Sequence, residues 1–417
     1  MDAQELLHLL NSVMGLLFAL CYAYQFFYLA VPFLRKDRPL PPGRGHRYAI
    51  LIAARNEEAV IGHLLDSIQA QTYPQDKITV FVLADNCTDH TAGVARDHGA
   101  VVYQRFDTAR VGKGYALECL LTDLRRDFPP FDGYVVFDAD NLLAPDYLEQ
   151  LDRTVSQGYE IVTTYRNSKN FADNWISAGY GLWFLREAAF LNHPRMLLGT
   201  SCAVSGTGFC FSHRVLQHHG GWPFHLLTED IEFTIASILS GFSVGYCKDA
   251  VFYDEQPVGF RQSWRQRLRW AKGYLQVFRQ YGGELLRGSF FRCEFACFDM
   301  TMAILPAMIL SLLSGLCALA SGVLLSLTGQ SVLPALLCLL RLVGQGYLLL
   351  LFLGGLTTLT QWKQLRATTG QKLWYTLTFP IFMLTYLPIS LCALFQRVEW
   401  KPIEHHRAMS LREMERQ

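Results

Sequence analysis

The amino-acid sequence predicts an α/β protein whose doubly wound, mostly parallel sheet is flanked by transmembrane and interfacial α-helices. Three observations support this class. Strand-length apolar runs alternate with helical patterns between residues 48 and 165, acidic residues follow several of these runs, and long uncharged stretches lie on both sides. The formal net charge of the 417 residues is only +1, which argues against a nucleic-acid partner.

The N-terminal segment predicts a membrane-spanning helix within residues 1–34. Residues 6–34 contain no Asp, Glu, Lys or Arg, which is enough length to cross a bilayer. A signal peptide is the competing interpretation, but acidic residues precede the segment and basic residues follow it, the reverse of the usual arrangement. The positive-inside rule then predicts that residue 35 onward faces the cytoplasm.

The alternating region predicts five strands and four helices. The strands are expected at 48–53, 78–84, 100–103, 134–139 and 160–165, and the helices at 57–70, 90–98, 113–125 and 145–157. Ligands of doubly wound sheets bind outside the carboxyl ends of the strands. The polar residues that follow each strand are therefore candidates for a binding site.

Acidic residues follow three of these strands, in AARNEE, ADNCTD and DADN. One Asn or Asp at such a position is usually a turn former or a helix cap, but three acidic ends on one sheet favour a ligand site. Asp138 and Asp140 flank one small residue, so their side chains project to the same side of an extended segment. Two hard oxygen ligands at this spacing suit Mg²⁺ or Mn²⁺.

Three further stretches carry candidate chemistry. GKG at 112–114 opens a predicted helix and brings Lys113 and backbone N–H groups towards a phosphate, although a flexible turn explains it equally well. SGTGF at 205–209 is a second glycine-rich loop. LLTEDIEFT at 226–234 places Glu229 and Asp230 in the first turn of a helix, where acids complement the helix dipole or serve as a general base.

Residues 263–295 predict amphipathic interfacial helices. The apolar stripe, which we expect to lie on the membrane surface, contains Trp264, Leu268, Ala271, Leu275 and Phe278. Its basic flanks, with stems that snorkel, contain Arg265, Arg267, Lys272 and Arg279. The opposite face contains Gln266, Arg269, Trp270 and Gly273, a grouping typical of a pocket wall.

Residues 296–397 predict C-terminal membrane segments, with apolar stretches at 303–328, 332–361 and 373–396. Arg341 is the charged residue within them and a functional candidate because burying a charge in lipid is unfavourable. Pro380 and Pro388 interrupt the last stretch, so we expect it to be re-entrant or interfacial and the basic tail at 398–417 to be cytoplasmic. The eleven cysteines lack CxxC spacing, which predicts reduced thiols and no zinc site.

The motifs DNCTD, DAD, TED and QRLRW occur in this order in a domain held beside membrane segments. In this the chain resembles the processive family 2 glycosyltransferases, which include the synthases of cellulose, hyaluronan and poly-N-acetylglucosamine. The resemblance covers roughly residues 48–275. It implies a GT-A-type fold, a cytoplasmic transferase domain at 35–262, and a multi-pass protein of the cell membrane.

The resemblance also implies roles for individual residues. Asp230 is the expected catalytic base, with Glu229 beside it, and Asp85 is expected to read the uracil of a UDP-sugar. Ala84 stands where the family often has a second acid, which weakens the prediction of the nucleobase. The residues assigned to the donor are Ala53, Arg55, Glu57, Asp85, Lys113, Asp138, Asp140, Gln266, Arg269 and Trp270. Those assigned to the acceptor are Gly206, Thr207, Glu229 and Trp270, and the tail residues Trp400 and His405 are assigned to a gating segment.

The expected activity is that of an inverting, UDP-sugar-dependent hexosyltransferase that uses Mg²⁺ or Mn²⁺ held by Asp138 and Asp140. The leading interpretation is a synthase that extends and secretes a β-linked polysaccharide. The alternative is transfer of one sugar to a membrane lipid, because QxxRW-like motifs also occur in glycolipid enzymes and the membrane segments are few for a channel. A non-catalytic scaffold is disfavoured because the acidic residues are all retained. Membrane lipids, an accessory subunit or a second copy of the chain are the expected partners.

Overall fold

A computed structural model of the protein describes residues 3–327, 329, 331–398 and 408–415. The helices are α1 (Ala3–Leu34), α2 (Ile61–Gln69), α3 (Thr91–Asp97), α4 (Lys113–Asp127), α5 (Tyr147–Val155), α6 (Trp175–Glu187), α7 (His193–Leu198), α8 (His213–His218), α9 (Glu229–Leu239), α10 (Phe260–Phe290), α11 (Phe295–Ile304), α12 (Pro306–Leu327), α13 (Leu333–Thr360), α14 (Thr369–Leu384), α15 (Tyr386–Phe395) and α16 (Leu411–Glu415). The strands are β1 (Tyr48–Ala54), β2 (Ile78–Asp85), β3 (Val101–Arg105), β4 (Gly133–Asp138), β5 (Leu142–Leu143), β6 (Ile161–Ser168), β7 (Phe209–Ser212) and β8 (Val244–Asp254).

The eight strands form one sheet in the order β3-β2-β1-β4-β7-β6-β8-β5. The neighbours β3, β2, β1 and β4 run parallel, and so do β6 and β8. β7 runs antiparallel to both of its neighbours, and β5 runs antiparallel to β8. The predicted α/β class is confirmed, and the sheet is mixed where the later strands join it.

Apolar side chains cover both faces of the sheet, as expected for parallel strands between helical layers. Along β1, Ala49 and Leu51 face one core with α4, whereas Ile50 and Ile52 face the other with α2. This alternation follows from the two-residue period of an extended chain. It explains why the β1 segment reads as a continuous apolar run.

The register of the parallel strands aligns their carboxyl ends. Ala53 of β1 lies opposite Leu83 of β2 and opposite Asp138 of β4. The residues that follow β1, β2 and β4 therefore emerge along one edge of the sheet, which places the predicted site residues of these three strands side by side.

Four helical segments are long and apolar enough to cross a membrane: Ser12–Leu34, Ile309–Leu327, Leu333–Thr360 and Thr369–Phe395. The last contains the junction of α14 and α15 at Thr385. Pro388 has no N–H to donate to the carbonyl of residue 384, which is consistent with an interruption there.

Arg341 lies on an exposed side of α13. The predicted gating residues Trp400 and His405 fall outside the described residues.

The prediction that the apolar stripe of α10 faces lipid is wrong at the centre of the stripe. Leu268 and Ala271 are buried against Ile389 and Ala393 of α15. Arg267, predicted to snorkel, is fully buried. Its guanidinium donates to the Phe382 carbonyl (3.0 Å) and the Thr385 hydroxyl (2.6 Å) at the end of α14. An apolar stripe reveals that a face is covered, but it does not reveal whether lipid or another helix covers it.

Candidate active site

The end of β2 places Asp85 in a buried ion pair. Arg105, at the end of β3, donates from Nη1 to Oδ1 of Asp85 at 2.7 Å, and each side chain is 7% exposed. Asn86 donates to the same Asp85 oxygen at 3.0 Å. Arg105 also donates to Asp107 at 3.2 Å and to the Arg110 carbonyl at 2.5 Å, so it holds the Asp85 carboxylate at the edge of the sheet.

The loop after β1 is tied to the loop after β2. Asn56 has a left-handed backbone (φ 57°), and its side-chain oxygen accepts from the Thr88 N–H at 2.8 Å. The Glu57 N–H donates to the Thr91 hydroxyl at 2.8 Å. Of the predicted donor residues, Ala53 lies near the end of β1, and Arg55 and Glu57 lie in a loop that is fixed against its neighbour.

Lys113, in the first turn of α4, links two separate loops. Its ammonium group contacts Oδ1 of Asp138 and donates to the Gly206 carbonyl at 2.8 Å. Gly114 allows this arrangement because a Cβ there would lie 2.1 Å from the carbonyl oxygen of Phe224. The GKG stretch is therefore packed into the site, not a free turn.

Thr207 fixes the end of β4. Its hydroxyl accepts from the Asp138 N–H at 2.9 Å and donates to the side-chain oxygen of Asn141 at 2.5 Å. Gly206 has φ 76°, a conformation that glycine adopts readily. The glycine-rich loop, assigned to the acceptor from the sequence, thus lies directly against the DxD segment.

Glu229 and Asp230 begin α9 beside this loop. Burial raises the pKa of Glu229 to about 7, assisted by the neighbouring Asp230 charge and opposed by Lys113 and Arg269. Burial also raises the pKa of Asp230, whereas backbone N–H groups at Ile231 and Gly206 and the same two cations lower it. The structure therefore places a carboxyl pair of raised proton affinity between the Lys113 and Arg269 charges.

Helix α10 approaches the start of α9 closely at Gly273. A Cβ at Gly273 would lie 2.5–2.6 Å from side-chain atoms of Thr228. One turn earlier, Arg269 acts electrostatically on Glu229 and Asp230. The glycine thus lets the QRLRW segment lie against the TED segment, which the sequence places some forty residues away.

Trp270 is held by aromatic side chains of α6. Its ring meets Tyr180 edge to face at 5.8 Å and Phe184 at 6.2 Å between centroids. The neighbouring Gln266 is partly buried, and its side-chain oxygen has no hydrogen-bond partner among the described residues. These two QRLRW side chains line an amphipathic wall beside α6.

Sequence reasoning missed four charged residues of the candidate site, which are Arg105, described above, and three others. Arg166, in β6, forms an ion pair with Asp254, at the end of β8, and donates to the Ser205 carbonyl at 3.2 Å. Glu187, at the end of α6, has a pKa raised by burial and by the Asp230 charge, against the nearby arginines. Asp254 follows an apolar run, so the strand-end rule could have found it, whereas Arg166 and Glu187 carry no such signal.

The acidic residues fit a divalent cation. Asp138 is 40% exposed, whereas Asp140 is buried and accepts from the Glu255 N–H at 3.1 Å. Burial and the Asp140 charge raise the pKa of Asp254 to about 6, against the effect of Arg166. A cation would relieve this repulsion between adjacent carboxylates. Within the described residues no cluster of three or more His, Cys, Asp or Glu side chains is placed to hold a metal, so phosphate and water oxygens would complete an Mg²⁺ or Mn²⁺ shell.

Comparison with known proteins identifies the family. Residues 46–273 match the family described as glycosyltransferase like family 2, and the chain belongs to it. The matched region begins just before β1 and ends within α10. It therefore contains the strand ends, the TED segment and the QRLRW segment.

Several curated proteins are similar over this region. A beta-monoglucosyldiacylglycerol synthase of Nostoc sp. is 30% identical over 68% of this chain and 62% of its own length. The probable glycosyltransferase YdaM of Bacillus subtilis is 26% identical over 54% and 55%. The poly-beta-1,6-N-acetyl-D-glucosamine synthase of Staphylococcus epidermidis is 24% identical over 61% of each chain. The chain spans about half to three-fifths of the length of these relatives.

Among solved structures, the mannosyltransferase PcManGT of Pyrobaculum calidifontis is similar in fold. The match has a TM-score of 0.56 and 20% identity and covers 93% of this chain and 99% of that one. That structure is a complex with GDP-Man and Mn²⁺. At this identity the likeness supports the GT-A-type fold.

Proposed function

We propose that the protein transfers a sugar from a nucleoside diphosphate sugar to a hydroxyl of a membrane lipid. A UDP-sugar is the first donor candidate. One observation carries the proposal: the Gly206 loop joins Lys113 and Asp138 on one side to Asp230 on the other. A diphosphate group and an acceptor hydroxyl would thus meet at the same loop.

The donor half of the proposal rests on charge and hydrogen-bond complementarity. The Asp85 carboxylate, held in place by Arg105, would accept from the N–H of uracil. Lys113 and Arg269 supply positive charge for the diphosphate. Asp138 and Asp140, with Asp254 beside them, would hold the divalent cation, which when bound supplies further positive charge to the phosphate oxygens.

Asp230 performs the proton transfer in this proposal. An acceptor hydroxyl is a weak nucleophile, so a carboxylate of raised pKa within reach of it assists the attack on the anomeric carbon. The hydroxyl proton moves to Asp230, the new glycosidic bond forms, and the bond from the sugar to the diphosphate breaks. Lys113 and Arg269 stabilise the departing diphosphate. A single displacement of this kind inverts an α-linked donor to a β-linked product.

Two observations favour a lipid acceptor. The QRLRW wall packs against α6 and, through its neighbours, against α14, which belongs to a segment able to cross a membrane. A beta-monoglucosyldiacylglycerol synthase is also among the similar proteins. Extension of a β-linked polysaccharide is the second candidate, favoured by the similarity to a poly-beta-1,6-N-acetyl-D-glucosamine synthase. In both cases we propose a multi-pass protein of the cell membrane with a cytoplasmic transferase domain, with a second copy or an accessory subunit as further partners.

The product distinguishes the two candidates. Protein in lipid nanodiscs would receive UDP- and GDP-sugars in turn with Mg²⁺ or Mn²⁺, and the extracted lipids and the aqueous phase would be analysed by mass spectrometry. We expect one sugar added to a lipid. A long glycosidase-sensitive polymer would establish the second candidate, and no transfer from any nucleotide sugar would refute both.

A further inference from the structure

A large basic cleft lies at the edge of the sheet opposite the candidate active site. It encloses about 1520 Å³ and includes Glu160 just before β6, Ser243 just before β8, and Arg214 just after the antiparallel β7. The candidate active site lies at the other end of the sheet, where Asp254 ends β8, Asp138 ends β4 and Gly206 comes just before β7. The cleft is therefore a separate site that cannot present a hydroxyl to Asp230.

The cleft carries an excess of positive charge. Its cationic side chains outnumber its carboxylates by six to three, and they are Arg35, Lys36, Arg38, Arg153, Arg214 and Lys248. Lys248 and Arg214 are paired with Asp37 and Glu160. Lys36 and Arg38 are exposed, and neither makes a salt bridge within the part of the chain that the structure describes. These two cations remain available to an anionic ligand.

The cleft continues into an apolar groove against α1. The groove encloses about 680 Å³ and shares Leu198, Gly199, Gly241, Phe242 and Ser243 with the cleft. Its other apolar walls include Tyr24, Phe27 and Tyr28 of α1, Ile238 and Leu239 of α9, and Phe295 of α11. Glu294 also lines the groove, and its carboxylate is paired with Arg292 at 3.1 Å. The two cavities thus form one continuous site with a charged end and an apolar end.

The position of α1 relates the two ends of the site to the apolar segment. Leu34 ends the segment that is long and apolar enough to cross a bilayer, and the basic residues Arg35, Lys36 and Arg38 follow it directly, as is typical of positions near lipid headgroups. Tyr24 and Phe27 lie within that segment. The charged end of the site therefore follows the apolar segment, and the apolar end lies along it.

We propose that this site binds one anionic phospholipid, with the phosphate of its headgroup at Lys36 and Arg38 and an acyl chain in the groove beside Tyr24 and Phe27. A soluble phosphate compound would satisfy the charged end alone. The continuity of the cleft with an apolar groove, and the charge complementarity of the two ends to the two parts of a phospholipid, favour the lipid. The lipid connects α1 to α7 and α9, and so couples the membrane anchor to the transferase domain.

Photolabelling tests this proposal. Full-length protein in nanodiscs would be labelled with photoactivatable phosphatidylglycerol or, in parallel, photoactivatable phosphatidylcholine, and the labelled peptides would be mapped by mass spectrometry. We expect phosphatidylglycerol to label peptides that contain residues 24–28 and 238–243 at least about fivefold more than phosphatidylcholine does. Equal labelling by the two lipids would overturn the proposal.

Variants define both ends of the site. Lys36→Ala/Arg38→Ala should lower the phosphatidylglycerol labelling by about fivefold or more, because each cation near an anionic headgroup contributes to binding. The matched control is Lys363→Ala/Arg397→Ala, which removes two exposed cations from other parts of the membrane-proximal surface. Ser243→Trp should obstruct the junction of cleft and groove, with Ser243→Ala as its control. Unchanged labelling in both test variants would refute the site.

Two further arms separate the alternatives. Millimolar inorganic phosphate or glycerol phosphate should not displace the label, and full displacement would show a site for a soluble anion instead of a lipid. Asp230→Asn should label like the unaltered protein, because the site lies away from the proposed transfer chemistry. Labelling of peptides that contain Asp230 or Trp270, in place of residues 24–28 and 238–243, would show that the labelled lipid is the acceptor in the active site, contrary to this proposal.

Discussion

Glu229 and Asp230 are two carboxyl groups in one electrostatic environment, and the Asp230 charge adds to the effect of burial in raising the pKa of Glu229. The raised pKa of Glu229, about 7, means that the folded protein holds a proton there at pH values where an unfolded chain has lost it. Because the folded state holds this proton more tightly, its contribution to the free energy of unfolding falls as the pH rises from the ordinary pKa of Glu to about 7. The raised pKa of this carboxyl pair therefore lowers the free energy of unfolding at neutral pH.

Glu229→Gln should leave the ionisation of Asp230 in place. In the unaltered protein we expect the rate to rise with pH as Asp230 ionises. The Asp230 charge raises the pKa of Glu229 to about 7, so Glu229 is still protonated when Asp230 loses its proton, and a neutral Gln resembles that state. The rising limb should therefore stay at the same pH. The measurement is initial rate against pH at saturating donor. A rising limb displaced to lower or higher pH would contradict this order of ionisation.

At the scale of elements, α10 joins the sheet domain to the C-terminal apolar helices. Gly273 lets it approach Thr228, and Arg267 connects it to the end of α14. One helix therefore positions the QRLRW segment against both the TED segment and the C-terminal apolar helices.

Gly273→Ala tests this close approach. The added Cβ would lie within 2.6 Å of Thr228, so α10 or the start of α9 must shift. We expect the free energy of unfolding to fall by about 1–3 kcal/mol and transfer to slow. Gly283→Ala on the same helix is the matched control, because a Cβ there meets no atom within 4 Å and should stabilise the helix by up to about 1 kcal/mol. Equal effects of the two substitutions on transfer would argue against a role for the α9–α10 contact.

The order of β1, β2, β3, β4 and β6, with the helices between them, could be predicted from local patterns, whereas the two-residue strand β5 was not predicted. Their apolar runs are continuous because both faces of each strand are buried, and their ends are marked by polar residues. The reversal of β7 could not be predicted, because its short sequence does not show which strands it pairs with. The cover of the α10 stripe by α15 likewise depends on a contact across more than one hundred residues.

The site could be predicted where residues lie at strand or helix ends, as Asp85, Asp138 and Asp230 do. Arg105 and Arg166 escaped prediction because they lie within or at the end of strands without a motif, and only the fold brings them to Asp85 and Asp254. The roles assigned to the predicted site residues remain predictions for the experiments described here.

At the scale of the whole molecule, a buried ion pair ties the N-terminal helix to the rest of the protein. Asp299 of α11 is fully buried and accepts from Arg195 of α7 at 2.7 and 2.8 Å. Tyr24 and Tyr28 of α1 donate to the same carboxylate at 2.7 and 2.8 Å. These bonds join three helices, α1, α7 and α11, through one buried carboxylate.

Asp299→Ala should destabilise the protein by about 3–5 kcal/mol, because it leaves the buried Arg195 charge unpaired. Arg195 lowers the pKa of Asp299, so this stability is present at neutral pH and is lost as the pH falls through the acidic range. Thermal unfolding in detergent would measure the loss. The double variant Asp299→Ala/Arg195→Met should recover part of it, and a double variant as unstable as the sum of the single changes would contradict the coupling.

The most direct test of the central claim is to compare Asp230→Asn with the unaltered protein in donor binding and in transfer. If Asp230 accepts the proton of the acceptor hydroxyl, the variant should bind the UDP-sugar with nearly unchanged affinity, while transfer falls by about 10²–10⁴-fold. Asp66→Asn, an exposed carboxylate on α2, is the control and should alter neither quantity. Unchanged transfer in Asp230→Asn, or a loss of transfer fully explained by lost donor binding, would contradict the account.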